Sequence, residues 1–192
     1  MQPFFADVVP PAGAGAPLHT LFFGLLPPPE TARSARSFSE DLVRCGKAKG
    51  ALRPARVLHL SLLVISKEVA EPAPARTIAA LCERAESVSQ RPFSVALNRV
   101  EAWGRPGRSG PVVALGDDGV FGVETLHRNL AAALGLPAWP DFNPHMTLLY
   151  GAGPSAPLRF PPTSWSVRDF ALIHSFVGES RYEVVRRFPL RA

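Results

Sequence analysis

The feature that most constrains this chain is a short pattern that occurs twice. Val57-Leu58-His59-Leu60-Ser61-Leu62-Leu63 and Asn143-Pro144-His145-Met146-Thr147-Leu148-Leu149 each set a His, an apolar residue and a hydroxyl residue in a largely aliphatic run. Such runs read as strands, in which alternate side chains share a face. Each strand would therefore present an imidazole and a hydroxyl on one side and Leu or Met on the other. The two histidines are 86 residues apart (145 minus 59). Repetition at that distance points to two similar halves rather than one local site.

The remaining segments supply those halves. Leu18 to Leu25 reads as a strand stopped by Pro27-Pro28-Pro29. A helix follows from about Glu30, with Ala35, Phe38, Leu42 and Cys45 at helical spacing and Gly46 ending it. The segment with Lys47, Lys49, Arg53 and Arg56 reads as a basic, turn-rich loop, either solvated or placed to meet a phosphate backbone. A second helix is expected over about 72–89, striped by Ile78, Leu81, Cys82, Ala85 and Val88. Phe93 to Trp103 and Pro111 to Leu115, joined through a Gly-rich turn, form a hairpin candidate. A third helix, about 119–135, carries Val120, Val123, Leu126, Leu130 and Leu134. After a Pro-rich link (154–162), 164–176 and 182–190 read as two last strands. Residues 1–17, rich in Pro, Ala and Gly, read as a flexible leader before a single domain over 18–192. Helices interleaved with mostly antiparallel strands make an α+β chain, and the repeated His strand predicts two pseudo-symmetric lobes across a central cleft.

Charge bears on the partner. The chain has 21 basic residues, of which only Lys47, Lys49 and Lys67 are lysine, against 16 acids, for a net charge of +5. That balance favours anionic partners, although Arg, Ala, Pro and Gly abundance also follows from genome composition. Cys45 and Cys82, both in helical patterns, are expected to be reduced and buried. No basic residue precedes Arg33 and no apolar run approaches the ~18 residues of a membrane span, so the expectation is a cytoplasmic protein without membrane attachment.

Two histidines on facing strands suit a reaction in which one proton leaves a nucleophile and another reaches a leaving group. Imidazole titrates near neutrality and serves either role. Opening a cyclic phosphate has that need, because the attacking and leaving oxygens lie on opposite sides of phosphorus. Ser61 and Thr147, about 6 to 7 Å along the strand from their histidines, would hydrogen-bond the non-bridging oxygens. A zinc site built on His59 and His145 is poorly supported, since no Asp, Glu or Cys lies on the same strand faces near them. A Ser–His–Asp hydrolase lacks its G-x-S-x-G turn. His19, His127 and His174 have no hydroxyl companion, and His127 is expected at the surface or boundary of the third helix.

The chain resembles the two-histidine (2H) phosphoesterases, and within them the 2′-5′ RNA ligase branch, also called RNA 2′,3′-cyclic phosphodiesterases. The resemblance rests on Leu21-Phe22-Phe23-Gly24, His59-Leu60-Ser61-Leu62, Phe142 through Leu149, and the ending from Trp165 through Phe170, Ser175-Phe176 and Arg181-Tyr182 to Phe188. It covers nearly everything after residue 17. It implies a bilobal fold of two mostly antiparallel sheets flanked by helices, and metal-independent opening of 2′,3′-cyclic phosphate ends of RNA or nucleotides to 2′-phosphates. Some members also run a reversible 2′-5′ ligation. It further implies His59 and His145 as acid–base pair, Ser61 and Thr147 on phosphate, and neither cofactor nor metal. In the usual family assignment the second-motif histidine activates water, but the sequence does not decide the order.

Two departures matter. Ser61 stands where Thr is common, which keeps the hydroxyl. Tyr150 stands where many members of the branch carry Arg, three residues after the second-motif Thr, which removes a charge. Arg56, Arg99, Arg105 and Arg108 are candidates to replace it. Tyr150, Phe22 and Phe23 are candidates to contact substrate, with only one of the two adjacent phenylalanines able to face the cleft and stack on a base. The alternatives are a module that binds RNA or nucleotide phosphate ends without turnover, and a cyclic phosphodiesterase for a small nucleotide metabolite. A monomer is expected.

Overall fold

The elements follow the order β1 (Leu18–Leu25), α1 (Pro29–Arg44), β2 (Lys49–Leu52), a 3-10 turn (Ala55–Val57), β3 (Leu60–Val69), α2 (Ala75–Glu86), β4 (Phe93–Ala102), β5 (Gly110–Leu115), α3 (Phe121–Leu134), β6 (His145–Ala152), β7 (Leu158–Val167), β8 (Asp169–Val177) and β9 (Arg181–Pro189). The computed structural model describes residues 18–104 and 109–191, so the leader assigned to 1–17 lies outside the described residues.

The strands run β7-β4-β5-β6-β3-β1-β8-β9, with β2 added on β6. Every described pairing is antiparallel. The two lobes are the two halves of this order: β4 to β7 with β2 on one side, and β1, β3, β8 and β9 on the other. Within the sheet, the described pairing that joins them is Leu60 opposite Met146. The residues at that seam are the ones that directly follow the two histidines, so the repeat sits where the halves touch. The two mostly antiparallel sheets implied by the resemblance are thereby joined into one continuous sheet.

Alternation then separates a packed face from an open one. Leu60, Leu62, Met146 and Leu148 have no exposed surface. Each such side chain contributes about 1.5–3 kcal/mol by leaving water. The helices cover that face. α1 packs on β2, β6 and β7, α2 on β9 and α3, and α3 on β3 and β4, so α3 spans both halves. The turn after α1 closes through Gly46 at φ +68°, with Lys47 N–H on the Leu42 carbonyl and Gly46 N–H on that of Val43.

Several expectations are corrected. The stretch 164–176 is not one strand, because the chain leaves β7 in one half and enters β8 in the other, turning at Arg168. The prolines at 161 and 162 lie inside β7, an edge strand that tolerates their missing donors. The loop expected over 47–56 contains β2, which pairs with β6 from Lys49↔Ala152 to Leu52↔Leu149. That pairing needs glycine on both sides. A Cβ on Gly50 (φ +151°) would sit 2.1 Å from the Tyr150 carbonyl oxygen, and one on Gly151 (φ +155°) 2.0 Å from that of Lys49. Cys82 is buried as expected, but Cys45, at the end of α1, is exposed.

His127 is also corrected: it is 1% exposed. Four residues after Val123, it lies on the inward stripe of α3. Its Nδ1–H donates to the Leu62 carbonyl at 2.8 Å, and its Nε2 accepts the Trp139 N–H at 2.9 Å. Its ring stacks on Phe142 at 4.0 Å and 11°. One neutral imidazole thus joins α3 to the first His strand and to the segment leading into the second.

Candidate active site

His59 directly precedes β3 and His145 is the first residue of β6, and both rings are set by the same device. His59 Nδ1–H donates to the carbonyl of Val57 at 3.0 Å, and His145 Nδ1–H to that of Asn143 at 2.8 Å, in each case two residues upstream. Fixing the proton on Nδ1 leaves the Nε2 lone pair for chemistry. At His59 that lone pair receives the Ser61 hydroxyl at 3.2 Å. An antiparallel register centred on Leu60 and Met146 brings His59 opposite Thr147, and Ser61 opposite His145. All four residues share the side of the sheet away from Leu60, Leu62, Met146 and Leu148.

An aromatic ring backs each histidine. Phe22 lies 4.7 Å from His59, and Trp103, just past β4, lies 4.4 Å from His145. Phe22 is 3% exposed and packs with Ala171 and Ile173, so it supports the imidazole rather than offering a free face to a base. Phe23 points into the opposite core, near Phe170 and Phe188.

Burial pulls His59 down to about 4, with Arg53 and His145 adding to the fall and the Val57 carbonyl opposing it. Burial also lowers His145 against the pull of the Asn143 carbonyl. Both rings are therefore neutral bases at pH 7 in the free protein. Their mutual repulsion makes a single proton on the pair the first charged state.

Tyr150 reaches the open face through a bulge. Val112 pairs with Leu149 and Val113 with Thr147, which leaves Leu148 as an extra residue. Leu148 and Leu149 are both buried, so the alternation resets and Tyr150 emerges half-exposed. Beside it stands Arg53, immediately after β2. The Arg53 Nη2–H donates to the Tyr182 hydroxyl at 3.0 Å, and its guanidinium carbon lies 5.9 Å from the Tyr150 ring centre. The Tyr182 oxygen is 3.1 Å from His59 Nδ1 and shares that N–H with the Val57 carbonyl. Burial raises the Tyr182 phenol against the opposing pull of Arg53, so the phenol stays protonated.

Of the arginines named as replacements for the missing charge, Arg56 is exposed on the 3-10 turn. Arg99 is committed to Glu101 at 3.0 Å and Asp117 at 3.5 Å. Arg105 and Arg108 lie outside the described residues. Sequence reading missed Arg53 and Trp103 as site residues; the first was only one of several cations in a basic loop and the second the end of a strand. Among the described residues no group of three or more His, Cys, Asp or Glu is placed to hold a metal ion. No described helix is long and apolar enough to cross a membrane.

The fold has counterparts among solved structures. Escherichia coli LigT in its apo form superposes with a TM-score of 0.73 at 24% identity, covering 92% of this chain and 99% of that one. E. coli LigT complexed with 3′-AMP gives 0.71 at 23% identity, covering 91% and 99%. A protein of Thermus thermophilus gives 0.68 at 23%, covering 90% and 98%. At these identities the likeness establishes the fold. Comparison with curated protein sequences gives no match. The model of the 2′-5′ RNA ligase superfamily matches residues 27–175, a stretch that holds both histidine motifs and the seam between them, and the chain belongs to that superfamily.

Proposed function

We propose that this protein opens 2′,3′-cyclic phosphate ends of RNA or nucleotides to 2′-phosphates, with His59 and His145 as the acid–base pair. The observation that carries the reading is the paired tautomer lock: two imidazoles held through Nδ1–H by the carbonyl two residues upstream, on strands that meet at Leu60 and Met146. One Nε2 takes a proton from water as its oxygen attacks phosphorus. The P–O3′ bond breaks, and the other ring, carrying the proton of the singly protonated pair, delivers it to O3′. Ser61 and Thr147 donate hydroxyl hydrogens to the non-bridging oxygens as negative charge builds there. With a 5′-hydroxyl in place of water, the same proton transfers form a 2′-5′ bond. The E. coli LigT complexes with 3′-AMP and with phosphate support a nucleotide phosphate as occupant.

The test is incubation of the purified protein with 2′,3′-cyclic AMP and with a cyclic-ended RNA fragment, in the presence of a chelator, followed by phosphorus NMR. A 2′-phosphate product is expected. His59→Ala and His145→Ala are each expected to cost about 10²- to 10⁴-fold in kcat with the fold retained. Binding of both substrates without any product, or full activity in the double variant, would overturn the reading.

A further inference from the structure

The backbone of Arg53 is clamped from two directions, its N–H on the Leu148 carbonyl at 2.8 Å and its own carbonyl accepting Arg36 Nη1–H at 3.0 Å. Its side chain is half-buried, yet what holds it is neutral. Tyr182 takes one N–H and the Tyr150 ring lies alongside. Other arginines in this chain pair with carboxylates: Arg36 with Glu40, Arg99 with Glu101 and Asp117, Arg181 with Glu179 and Glu183, Arg187 with Asp169. Among the described residues no carboxylate lies within ion-pair distance of Arg53. A partly desolvated guanidinium with no counter-charge is costly, and the cost is recovered when an anion arrives. A guanidinium offers five N–H donors, of which Tyr182 uses one.

We infer that Arg53 is the anion-binding residue of the cleft, positioned by Tyr182 and Tyr150 to donate to the non-bridging oxygens of a phosphate lying against His59 and His145. The inference deepens the reading above and rests on it for the choice of phosphate. It supplies the positive charge that Tyr150 does not.

The same geometry couples charge to binding. The groups facing His59 are Arg53 from the end of β2, Tyr182 from β9 and His145 from β6. In the free protein the Arg53 charge works against a proton on His59. A bound phosphate offsets that charge and brings an anion to both rings, so the pair gains proton affinity when substrate is present. The site thus takes up its catalytic proton together with the ligand.

Inorganic phosphate is the probe, so binding is read without turnover. Calorimetry on wild type, Arg53→Ala, Arg53→Lys and Tyr182→Phe gives affinity, and NMR of the imidazole protons gives the His59 titration with and without phosphate. Loss of a charge-assisted, multiply bonded contact should weaken phosphate about 10- to 100-fold in Arg53→Ala. Arg53→Lys should fall between, since it keeps the charge and loses the fork. The His59 midpoint should rise on adding phosphate to wild type. It should already be raised in phosphate-free Arg53→Ala, with a smaller further rise on adding phosphate. Tyr182→Phe, which leaves the charge but frees the guanidinium, should weaken phosphate less than Arg53→Ala does. Unchanged affinity and an unmoved His59 midpoint in Arg53→Ala would overturn the inference, and Arg53→Lys carries the same test if the alanine variant fails to fold. The two readings separate cleanly. A wild type that binds phosphate through Arg53 but opens no cyclic phosphate removes the enzyme and keeps the anion site. An Arg53→Ala variant that binds phosphate and turns over like wild type, while His59→Ala is inactive, does the reverse.

Discussion

Replacing His127 by Phe probes the joint on which both motifs hang. The substitution keeps an aromatic ring against Phe142 and removes both hydrogen bonds. The Leu62 carbonyl, in a residue with no exposed surface, then lacks one donor, at about 1–3 kcal/mol. The Trp139 N–H belongs to a residue that is 42% exposed and regains water, so its lost bond costs only ~0.5–1 kcal/mol. The expected loss is about 2 to 3 kcal/mol, or roughly 5 to 10 °C in Tm for a chain of this size. The loss also has a pH signature. Burial holds the His127 pKa below the ordinary histidine value of 6.5, with the Leu62 carbonyl opposing and Arg128 adding to the fall. Its stabilising contribution is therefore complete above pH 6.5, where both folded and unfolded imidazoles are neutral. It is lost as pH falls below 6.5, because the unfolded chain takes the proton first. The Phe variant has no such term. Denaturant unfolding of both proteins from pH 8 to pH 5 should show a gap that is widest at the alkaline end and narrows toward pH 5. His59, His145 and His174, whose pKa values are also lowered, are present in both proteins and cancel in the difference. A gap that stays constant across that range, or one below about 0.5 kcal/mol throughout, would refute the assignment of His127 as a neutral two-bond joint.

Two further outcomes follow from the site. Ser61→Thr should keep activity within a few-fold, whereas Ser61→Ala should lower kcat by about 10²-fold, the usual scale for one donor to a developing oxyanion; steady-state kinetics on a cyclic nucleotide reads both. Gly151→Ala would put a methyl 2.0 Å from the Lys49 carbonyl oxygen, so β2 should lift from β6, and the drop in Tm should come with weaker phosphate binding because Arg53 is anchored there on the Leu148 carbonyl.

What could be read from the sequence was what periodicity encodes. The two His strands, the three helices and the β4–β5 hairpin lie where their apolar spacing puts them, because burial of one face is what fixes each. Periodicity also carried the pairing of each histidine with its hydroxyl. It failed where the determinant was a contact between distant segments. β2 reads Lys-Gly-Ala-Leu, with no alternation, and becomes a strand only because Gly50 and Gly151 let two backbones approach. Arg53 inherits its position from that contact, so nothing local marked it out from Arg56. Tyr150 would face the packed side if β6 alternated regularly, and the extra residue at Leu148 turns it outward. The turn at Arg168 was hidden because β7 and β8 have similar strand composition while belonging to different halves. His127 left a trace, since it falls on the Val123–Leu130 stripe, but its two backbone partners lie in segments that only tertiary structure brings to it.

The two halves of the candidate site are alike in what handles protons. Each histidine has an upstream carbonyl on Nδ1, a hydroxyl residue two positions on and an aromatic ring within 4.7 Å. On the His59 side the described residues add an arginine and a half-buried phenol. Symmetric proton handling fits a reaction whose forward and reverse directions exchange acid and base. Under the inference above, Arg53 draws the phosphate toward the His59 side and the open rim at Tyr150. With the phosphate held near Arg53, the exposed Tyr150 ring and the Trp103 ring beside His145 are the two candidates to lie along a nucleoside. Replacing each ring by Ala separates the two, since only the ring lying along the nucleoside should raise KM for cyclic nucleotides by a larger factor than it weakens inorganic phosphate.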